Sequence, residues 1–234
     1  MRADLDLRCY FVTGAGDAVR VVERAKQAAA GGAGVIQVRS KPITARELYA
    51  LTNAVTCAVA AINPRTRVLV DDRLDIALAL RDSGVAGVHL GQDDIDVAVA
   101  RQLLGPEAVI GLTTGTKALV QAANHVADVI DYIGCGPFRA TPTKDSGRPP
   151  IGLSGYPELV AASTVPLVAI GDVTSQDAYD LGRAGVDGCA IVRGIMHADN
   201  PQAYVERVLA EFDRGRACRV HRTSAAPPPH LGRL

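Results

Sequence analysis

The sequence carries no net charge, because 25 Lys and Arg residues balance 25 Asp and Glu residues among its 234. This balance gives no indication of binding to nucleic acid or to an acidic membrane surface, since both favour an excess of cations. No apolar run approaches the length of a membrane span, and the N-terminal residues contain no apolar signal core. We therefore expect a cytoplasmic protein that contacts neither nucleic acid nor membrane.

Cysteine motifs are also missing from the sequence. Its five cysteines include no Cys-x-x-Cys pair, and Cys9, Cys135 and Cys189 lie in short apolar runs, where cysteine acts as a small hydrophobic residue. We therefore expect neither a structural disulfide nor a zinc site, in agreement with a reducing compartment.

Short apolar runs alternate along the chain with longer amphipathic stretches. The predicted strands are 7–13, 35–38, 68–70, 86–90, 109–112, 132–135, 165–170 and 189–192. The predicted helices are 18–30, 44–62, 75–82, 95–104, 117–127, 156–162, 175–184 and 201–212. Thr44 and Glu47 form a capping-box pattern, and Asn200 before Pro201 is typical of a helix start.

Eight βα units in strict alternation predict an α/β protein with a (β/α)8 TIM barrel in one catalytic domain, residues 1–212. Short, wholly apolar strands are typical of a parallel sheet that is covered on both faces. The alternative is an open, doubly wound sheet. Residues 213–234 include three consecutive prolines and show no apolar periodicity, so we expect a disordered tail there.

The loop after the sixth strand cannot be helical, because Gly136, Pro137, Pro142 and Gly147 interrupt it. It carries two hydroxyls and one ammonium, on Thr141, Thr143 and Lys144. Such groups suit a bound anion. The alternative is a solvated surface loop.

Active sites of such barrels lie at the carboxyl ends of the strands. Gln37 and Arg39 point the same way at the end of the second strand, and Lys41 follows two residues later. Together Arg39 and Lys41 suit a pyrophosphate, although they could also be ordinary surface cations.

Carboxylates follow the next two strands. Asp71 and Asp72 directly follow the third strand, and Asp93 and Asp94 follow the fourth, just beyond His89. Acidic oxygens next to phosphate-binding cations are the arrangement that Mg²⁺ needs. Helix capping is the alternative explanation. His89 is either a base or a hydrogen-bonded residue of the barrel interior.

The remaining strand ends offer further anion-binding groups. Thr113 follows the fifth strand, Gly171 and Asp172 the seventh, and Val192 and Arg193 the eighth. The last two loops are the usual phosphate-binding loops of TIM barrels. The sequence thus predicts two anion sites, for two phosphorylated ligands or for one that is phosphorylated at both ends.

These residues carry a resemblance to the thiamine phosphate synthase family that covers Leu7 to about Phe212. Each motif is weak alone, but all of them occur in order at predicted strand ends. The matching motifs are Gln37-x-Arg39-x-Lys41, Asp71-Asp72-Arg73, the run Gly-Val-His-Leu-Gly-Gln-Asp-Asp at 87–94, and Gly134-x-Gly136-Pro137 followed by Thr141-x-Thr143-Lys144.

The resemblance implies an enzyme that joins 4-amino-5-hydroxymethyl-2-methylpyrimidine diphosphate to thiazole phosphate, giving thiamine phosphate and pyrophosphate with the help of Mg²⁺. It implies that Asp72 and Asp94 hold the metal. The implied contacts to the pyrimidine diphosphate are Gln37, Arg39, Lys41, Asp71, Thr113 and Lys144. Of these, Arg39, Lys41, Thr113 and Lys144 have the implied catalytic roles. The implied contacts to the thiazole phosphate are Thr141, Thr143, Gly171, Asp172, Val192 and Arg193.

The implied chemistry is dissociative: pyrophosphate leaves, a pyrimidine methylene cation forms, and the thiazole nitrogen captures it. No general base is needed. The sequence departs from the family pattern at four positions: Asp71 replaces the usual Asn, Thr113 replaces Ser, Asp172 replaces Gly, and Arg193 replaces Ser. The last two bear on the thiazole phosphate.

Two other functions compete with this one. A thiazole tautomerase is a related barrel with a histidine after the fifth strand, which residues 113–117 lack. A non-catalytic sensor of thiamine phosphate would not need Asp72, Asp94 and Lys144 to ionise a diphosphate. The sequence leaves the oligomeric state open, and a homo-oligomer is one expectation.

Overall fold

A computed structural model describes residues 5–140 and 147–223, and its strands form a closed parallel barrel. The strands are Cys9–Val12 (β1), Val35–Val38 (β2), Arg67–Asp71 (β3), Gly87–Leu90 (β4), Val109–Thr114 (β5), Tyr132–Cys135 (β6), Leu167–Ala169 (β7) and Gly188–Ile191 (β8). The helices are Ala18–Ala30 (α1), Ala45–Ile62 (α2), Leu74–Ala79 (α3), Val97–Leu104 (α4), Lys117–Asn124 (α5), Gly152–Ala162 (α6), Ala178–Ala184 (α7), Arg193–Met196 (α8) and Pro201–Thr223 (α9).

The order of the strands around the barrel is their order in the chain, and β1 closes the barrel by pairing with β8. In that pair Cys9 lies opposite Cys189, and Phe11 lies opposite Ile191. This closure confirms the predicted TIM barrel and excludes the open sheet, whose first and last strands would not meet.

Alternate residues of each strand point into two separate cores. In β1, Tyr10 points into the barrel, whereas Cys9 and Phe11 pack against the surrounding helices. Because both faces are buried, the strands need apolar residues at nearly every position. All five cysteines are free thiols, and the three in strands are buried.

Helix starts follow local capping chemistry. The Thr44 hydroxyl accepts from the Glu47 backbone N–H, and the Glu47 carboxylate accepts from the Thr44 backbone N–H, which completes the predicted capping box. The Asn200 side chain accepts from the Ala203 N–H at the start of α9. Within the described ranges, no helix is both long enough and apolar enough to span a membrane.

Several helices differ from the sequence prediction by a few residues at one end, and three differences concern the course of the chain. The third ends at Ala79 and is followed by a 3-10 turn, Arg81–Ser83. The sixth begins at Gly152 instead of 156, because two glycines and Pro157 hide its helical pattern. The short helix α8 follows β8 directly and breaks the strict alternation of strands and helices.

The prediction of a disordered tail from residue 213 is wrong as far as residue 223, because α9 continues to Thr223. This extension packs on α7 through small residues, which apolar periodicity does not reveal. A Cβ on Gly215 would overlap the Tyr179 carbonyl oxygen, and a Cβ on Gly182 would lie 2.5 Å from the Phe212 oxygen. The Arg214 guanidinium lies 4.6 Å from the centre of the Tyr179 ring. Residues 224–234 lie outside the described residues.

Deletion of residues 215–234 should therefore destabilise the protein, because it removes part of the α7–α9 contact. We expect a loss of about 2 kcal/mol in the free energy of unfolding, or a fall in Tm of about 4–8 °C at this chain length. Thermal unfolding followed by circular dichroism measures it. The matched control is deletion of 224–234, which removes no described contact; equal falls in Tm for the two truncations would contradict the prediction.

Candidate active site

A cavity of about 290 Å³ opens at the carboxyl ends of the strands. Eight of the predicted site residues line it: Gln37, Arg39, Asp71, Thr113, Gly171, Asp172, Val192 and Arg193. Further lining residues include Tyr10, His89, Gln92, Asp93, Tyr132 and Arg148. Three further predicted residues, Lys41, Asp72 and Asp94, lie beside the cavity. Lys41 contacts the lining residue Asp71 and also Asp72, and Asp94 lies next to Asp72. We call this side of the cavity, with Asp71, Asp72 and Asp94, the acidic wall. Thr141, Thr143 and Lys144 lie outside the described residues.

Cations from the end of β2 meet carboxylates from the end of β3. The Arg39 Nε lies 3.4 Å from Asp71 Oδ2, and the Lys41 ammonium lies 3.2 Å from the same oxygen. Lys41 also donates a hydrogen bond to Asp72. Asp72 adopts a left-handed backbone conformation, with φ at 59°, which aspartate tolerates better than most residues. Its backbone N–H donates to the His89 carbonyl, at 2.9 Å, and so ties the ends of β3 and β4 together.

Asp71 is a buried carboxylate whose charge is incompletely compensated. Its side chain is 10% exposed, and Oδ2 accepts no hydrogen bond of good geometry from the described residues, although two cations lie nearby. Burial raises the pKa of Asp71, and the neighbouring Asp72 carboxylate raises it further. Arg39 and Lys41 oppose this shift without cancelling it.

Asp94 brings a third carboxyl group to the same place. The Gly91 backbone N–H donates to Asp94 Oδ2, at 2.6 Å. Burial raises the pKa of Asp94, and repulsion from the Asp72 carboxylate adds to the rise. The structure thus brings together the two carboxylates that the family resemblance assigns to Mg²⁺. Across residues 5–140 and 147–223, no three His, Cys, Asp or Glu side chains form a metal site by themselves.

The opposite wall of the cavity contains a second ion pair. Arg193, directly after β8, donates a hydrogen bond to the Asp172 carboxylate after β7. Asp172 also has a left-handed conformation, with φ at 57°, where the family usually has glycine. The two departures from the family pattern therefore contact each other.

Arg148 is a cavity residue that the sequence reasoning missed. Its Nη1 donates to the Thr114 carbonyl, at 3.2 Å, beside the predicted anion-binding residue Thr113. No carboxylate of the described residues lies within 4 Å of this guanidinium. The sequence could have identified Arg148 by its position, because it lies in the loop after the sixth strand, which was already expected to bind an anion.

Tyr10 and Tyr132 were missed as well. They form the inner surface of the barrel below the cavity and are 2% and 0% exposed. Period-two alternation in β1 and β6 could have identified them as inward-facing polar groups. Their hydroxyls lie 2.7 Å apart, and the His89 Nδ1 lies 2.8 Å from the Tyr132 hydroxyl. His89 is thus hydrogen-bonded within the barrel, which is one of its two predicted roles.

A closed eight-stranded parallel barrel with charged and hydroxyl groups around a cavity at its strand ends defines a (β/α)8 protein with its site in the usual place. The profile of the family described as "Thiamine monophosphate synthase" matches residues 9–195. The chain belongs to this family, as its motifs predicted, and the predicted enzyme class is confirmed with it.

Individual relatives agree with the family match. A thiamine-phosphate synthase of Corynebacterium jeikeium is 64% identical over 91% of this chain and 97% of its own length. One of Corynebacterium efficiens is 60% identical over 92% of this chain and 100% of its own length. A solved structure of thiamine phosphate pyrophosphorylase from Pyrococcus furiosus superposes with a TM-score of 0.76, at 28% identity, over 91% of this chain and 98% of its own.

Ionisation of Asp71 should destabilise the folded state. Because its pKa is raised on folding, its contribution to stability is fully present below the ordinary carboxyl range, near about pH 4, and is lost as pH rises through the folded pKa. Asp71→Asn cannot ionise and escapes that loss. We expect its Tm to exceed the wild-type value by about 2–4 °C at pH 7–8, with the difference vanishing in acid.

Thermal unfolding over pH 3–8 measures this difference. The control is Asp82→Asn, an acid with 94% of its side chain exposed, which should leave the Tm unchanged throughout. A Tm of Asp71→Asn at or below that of the wild type at pH 8 would show that the ion pairs with Arg39 and Lys41 dominate instead.

Proposed function

We propose that the protein joins 4-amino-5-hydroxymethyl-2-methylpyrimidine diphosphate to thiazole phosphate and releases pyrophosphate, forming thiamine phosphate. One observation carries the proposal: two ion pairs, from different sides of the barrel, line one cavity. Arg39 pairs with Asp71 at the ends of β2 and β3, and Asp172 pairs with Arg193 at the ends of β7 and β8. Lys41, Asp72 and Asp94 lie beside the first pair. Two phosphorylated substrates can thus bind with their reacting ends between the walls.

The diphosphate is assigned to the β2–β5 side of the cavity. Arg39 and Lys41 supply the positive charge, and the Thr113 hydroxyl adds a hydrogen bond. Gln37 lies deeper, 4% exposed, where an amide can pair with the pyrimidine ring. Asp71 orients both cations. Lys144 belongs to the same group through the family motif.

The Asp72 and Asp94 carboxylates fit a Mg²⁺ ion that would help to bind the diphosphate. Mg²⁺ is held in such sites by one or two carboxylates together with substrate phosphate oxygens. Asp72 and Asp94 are close enough to repel each other, and the Lys41 ammonium already binds Asp72 as a cation would. When bound there, the metal would neutralise charge on the diphosphate. The Lys41 ammonium, released from Asp72, would then pair with the same phosphates.

The thiazole phosphate is assigned to the loops after β7 and β8. Gly171, Asp172, Val192 and Arg193 surround this end of the cavity. Thr141 and Thr143 complete the set through the family motif. Because Arg193 already neutralises Asp172, the carboxylate need not exclude a phosphate from this side.

The chain's residues contribute to the reaction mainly by binding, orientation and charge stabilisation. As the bond between the pyrimidine methylene and the diphosphate breaks, negative charge builds up on the leaving pyrophosphate, next to Arg39, Lys41 and Lys144. The methylene cation then forms its new bond to the thiazole nitrogen, which supplies the electron pair. No proton is removed in this step, so no general base is needed.

The direct test is pyrophosphate release with both substrates present. We expect turnover that requires both substrates and Mg²⁺. Asp94→Asn should lower kcat by about 10²–10³-fold, although an Asn oxygen can still accept from the Gly91 N–H. Asp93→Asn, which removes the adjacent cavity carboxylate, is the matched control and should stay within about threefold of wild type.

Full activity in excess chelator would overturn the magnesium assignment while leaving the reaction in place. Absence of pyrophosphate release from the wild-type protein would overturn the function itself. The test also checks the two rejected functions, since neither a tautomerase nor a sensor releases pyrophosphate. A cytoplasmic location and a homo-oligomeric state are further parts of the proposal, which cell fractionation and sedimentation can check.

The Arg193–Asp172 pair generates a separate prediction for thiazole phosphate binding. An unpaired carboxylate 4 Å from a phosphate costs up to about 4 kcal/mol at an effective dielectric near 20. Arg193→Ser should therefore raise the KM for thiazole phosphate by about tenfold or more. Asp172→Gly in the same chain should restore much of the loss, since glycine also adopts the left-handed conformation freely.

Steady-state kinetics with each substrate varied in turn measure these effects. The KM for the pyrimidine diphosphate serves as the internal control and should change less than about twofold. An unchanged thiazole KM in Arg193→Ser, or a double variant no better than the single one, would contradict the compensation.

A further inference from the structure

Five side chains form a continuous line of hydrogen bonds across the barrel interior. Gln37 Nε2 donates to the Tyr10 hydroxyl at 3.1 Å, and the Tyr10 and Tyr132 hydroxyls lie 2.7 Å apart. The Tyr132 hydroxyl lies 2.8 Å from His89 Nδ1, and His89 Nε2 lies 2.9 Å from the Thr113 hydroxyl. We call this set the interior chain. It links β2, β1, β6, β4 and β5 in turn, and it connects two residues assigned to the pyrimidine diphosphate.

The strands leave room for the rings of the interior chain. His89 and Tyr132 stack with their centroids 5.5 Å apart and their planes at 28°. A Cβ on Gly111 would overlap the Tyr132 ring and lie 2.5 Å from His89 Nδ1, and a Cβ on Gly134 would lie 3.1 Å from His89 Cε1. On β5, Gly111 is the register partner of His89 in β4 and of Tyr132 in β6, so it lies between the residues that carry the two rings. Glycine at 111 is therefore required for this arrangement, and glycine at 134 avoids a tight contact with the His89 ring.

One direction of donation satisfies every hydrogen bond of the interior chain. Burial raises the pKa of both Tyr10 and Tyr132, so each hydroxyl keeps one proton to donate. When the Gln37 amide donates to Tyr10, each tyrosine proton has a partner in the interior chain if Tyr10 donates to Tyr132 and Tyr132 donates to His89 Nδ1. A neutral His89 then carries its proton on Nε2 and donates to Thr113.

This direction leaves the Thr113 proton unused within the interior chain. Because the Thr113 oxygen accepts from His89, its own O–H is available to donate to a phosphate in the cavity. At the other end, Gln37 keeps its carbonyl oxygen and its second N–H for the ligand. An amino group next to a ring nitrogen, as in an aminopyrimidine, matches that pair of groups.

With the opposite direction of donation, Thr113 and Gln37 would present hydrogen-bonding groups that do not match the phosphate and the aminopyrimidine. Thr113 would donate to His89, and its oxygen would present lone pairs to the phosphate. Gln37 would accept from Tyr10 through its carbonyl oxygen, and both of its N–H groups would face the ligand. The two directions therefore offer different hydrogen-bonding groups to the same substrate.

We infer that the interior chain is a positioning network, in which Tyr10, Tyr132 and His89 touch no reacting atom but set which groups Gln37 and Thr113 present to the diphosphate substrate. The inference rests on the proposed function for the identity of that substrate. It assigns to the two tyrosines and the histidine a role in substrate specificity beyond packing.

Tyr132→Phe tests the inference, because it removes the central hydroxyl and keeps the ring. We expect kcat/KM for the pyrimidine diphosphate to fall about tenfold. This is the effect of losing about one well-oriented hydrogen bond between the protein and the substrate. The KM for thiazole phosphate should change less than about twofold.

The matched control is Tyr156→Phe. Tyr156 is also fully buried, and its hydroxyl donates to the Cys135 carbonyl at 2.9 Å, outside the interior chain. Both variants should lower the Tm to a similar extent, since each buried hydroxyl loses its hydrogen bonding, but only Tyr132→Phe should lower kcat/KM. Equal kinetic losses in the two variants, or none in Tyr132→Phe, would overturn the inference.

A double variant checks that the effect passes through Thr113. If the interior chain acts on that hydroxyl, Tyr132→Phe combined with Thr113→Ala should lose less than the product of the two single losses. A loss equal to the product would mean that the two residues act independently, which contradicts the inference.

The proposed function and the network can fail separately. If the wild type releases no pyrophosphate, the function fails, and binding of inorganic pyrophosphate with Mg²⁺, measured by calorimetry, becomes the deciding readout. We then expect Tyr132→Phe to bind several-fold more weakly than both the wild type and Tyr156→Phe. Equal Kd values for all three would overturn the network.

Discussion

Closure of the barrel is the constraint on which the rest of the structure depends. Pairing of β1 with β8 brings all eight strand ends to one rim. Side chains far apart in the chain then become neighbours: Tyr10 and Tyr132 share a hydrogen bond across a separation of 122 residues. An open sheet of the same strands would leave its two edges apart, and the cavity would lose one wall.

The charged groups at the rim range from nearly buried to half exposed, so the burial and the partners of each charge matter more than the number of charges. The pKa of Asp71 is raised although Arg39 and Lys41 lie nearby, because burial and the Asp72 carboxylate outweigh these two cations. Arg193 and Asp172 are more exposed and compensate each other directly. The acidic wall therefore favours binding of a cation, whereas the opposite wall is nearly neutral before a ligand arrives. This asymmetry agrees with the proposed binding of the diphosphate and Mg²⁺ at one wall and of the thiazole phosphate at the other.

The barrel interior below the rim combines an apolar core with a line of buried polar groups, whereas the interior of small barrels is usually apolar throughout. Two tyrosines, a histidine and a glutamine fill part of it with satisfied hydrogen bonds, and glycines on β5 and β6 make the space. Buried polar groups are costly unless all are paired. A fully connected line of donors and acceptors meets that requirement and gives the cavity a fixed pattern of hydrogen-bonding groups.

The eight strands, most helix starts and the charged strand ends could be predicted from the sequence, because they depend on local periodicity, capping and turn residues. The sequence also determined the family, through motifs such as Gln37-x-Arg39-x-Lys41. It did not predict the continuation of α9, because Gly182 and Gly215 permit a helix contact without an apolar stripe. The pairing of the charges and the hydrogen bonds among Tyr10, Tyr132 and His89 depend on the folded barrel and could not be predicted. The reason is physical: propensity acts between neighbours in the chain, whereas partners across the barrel are chosen when its strands close.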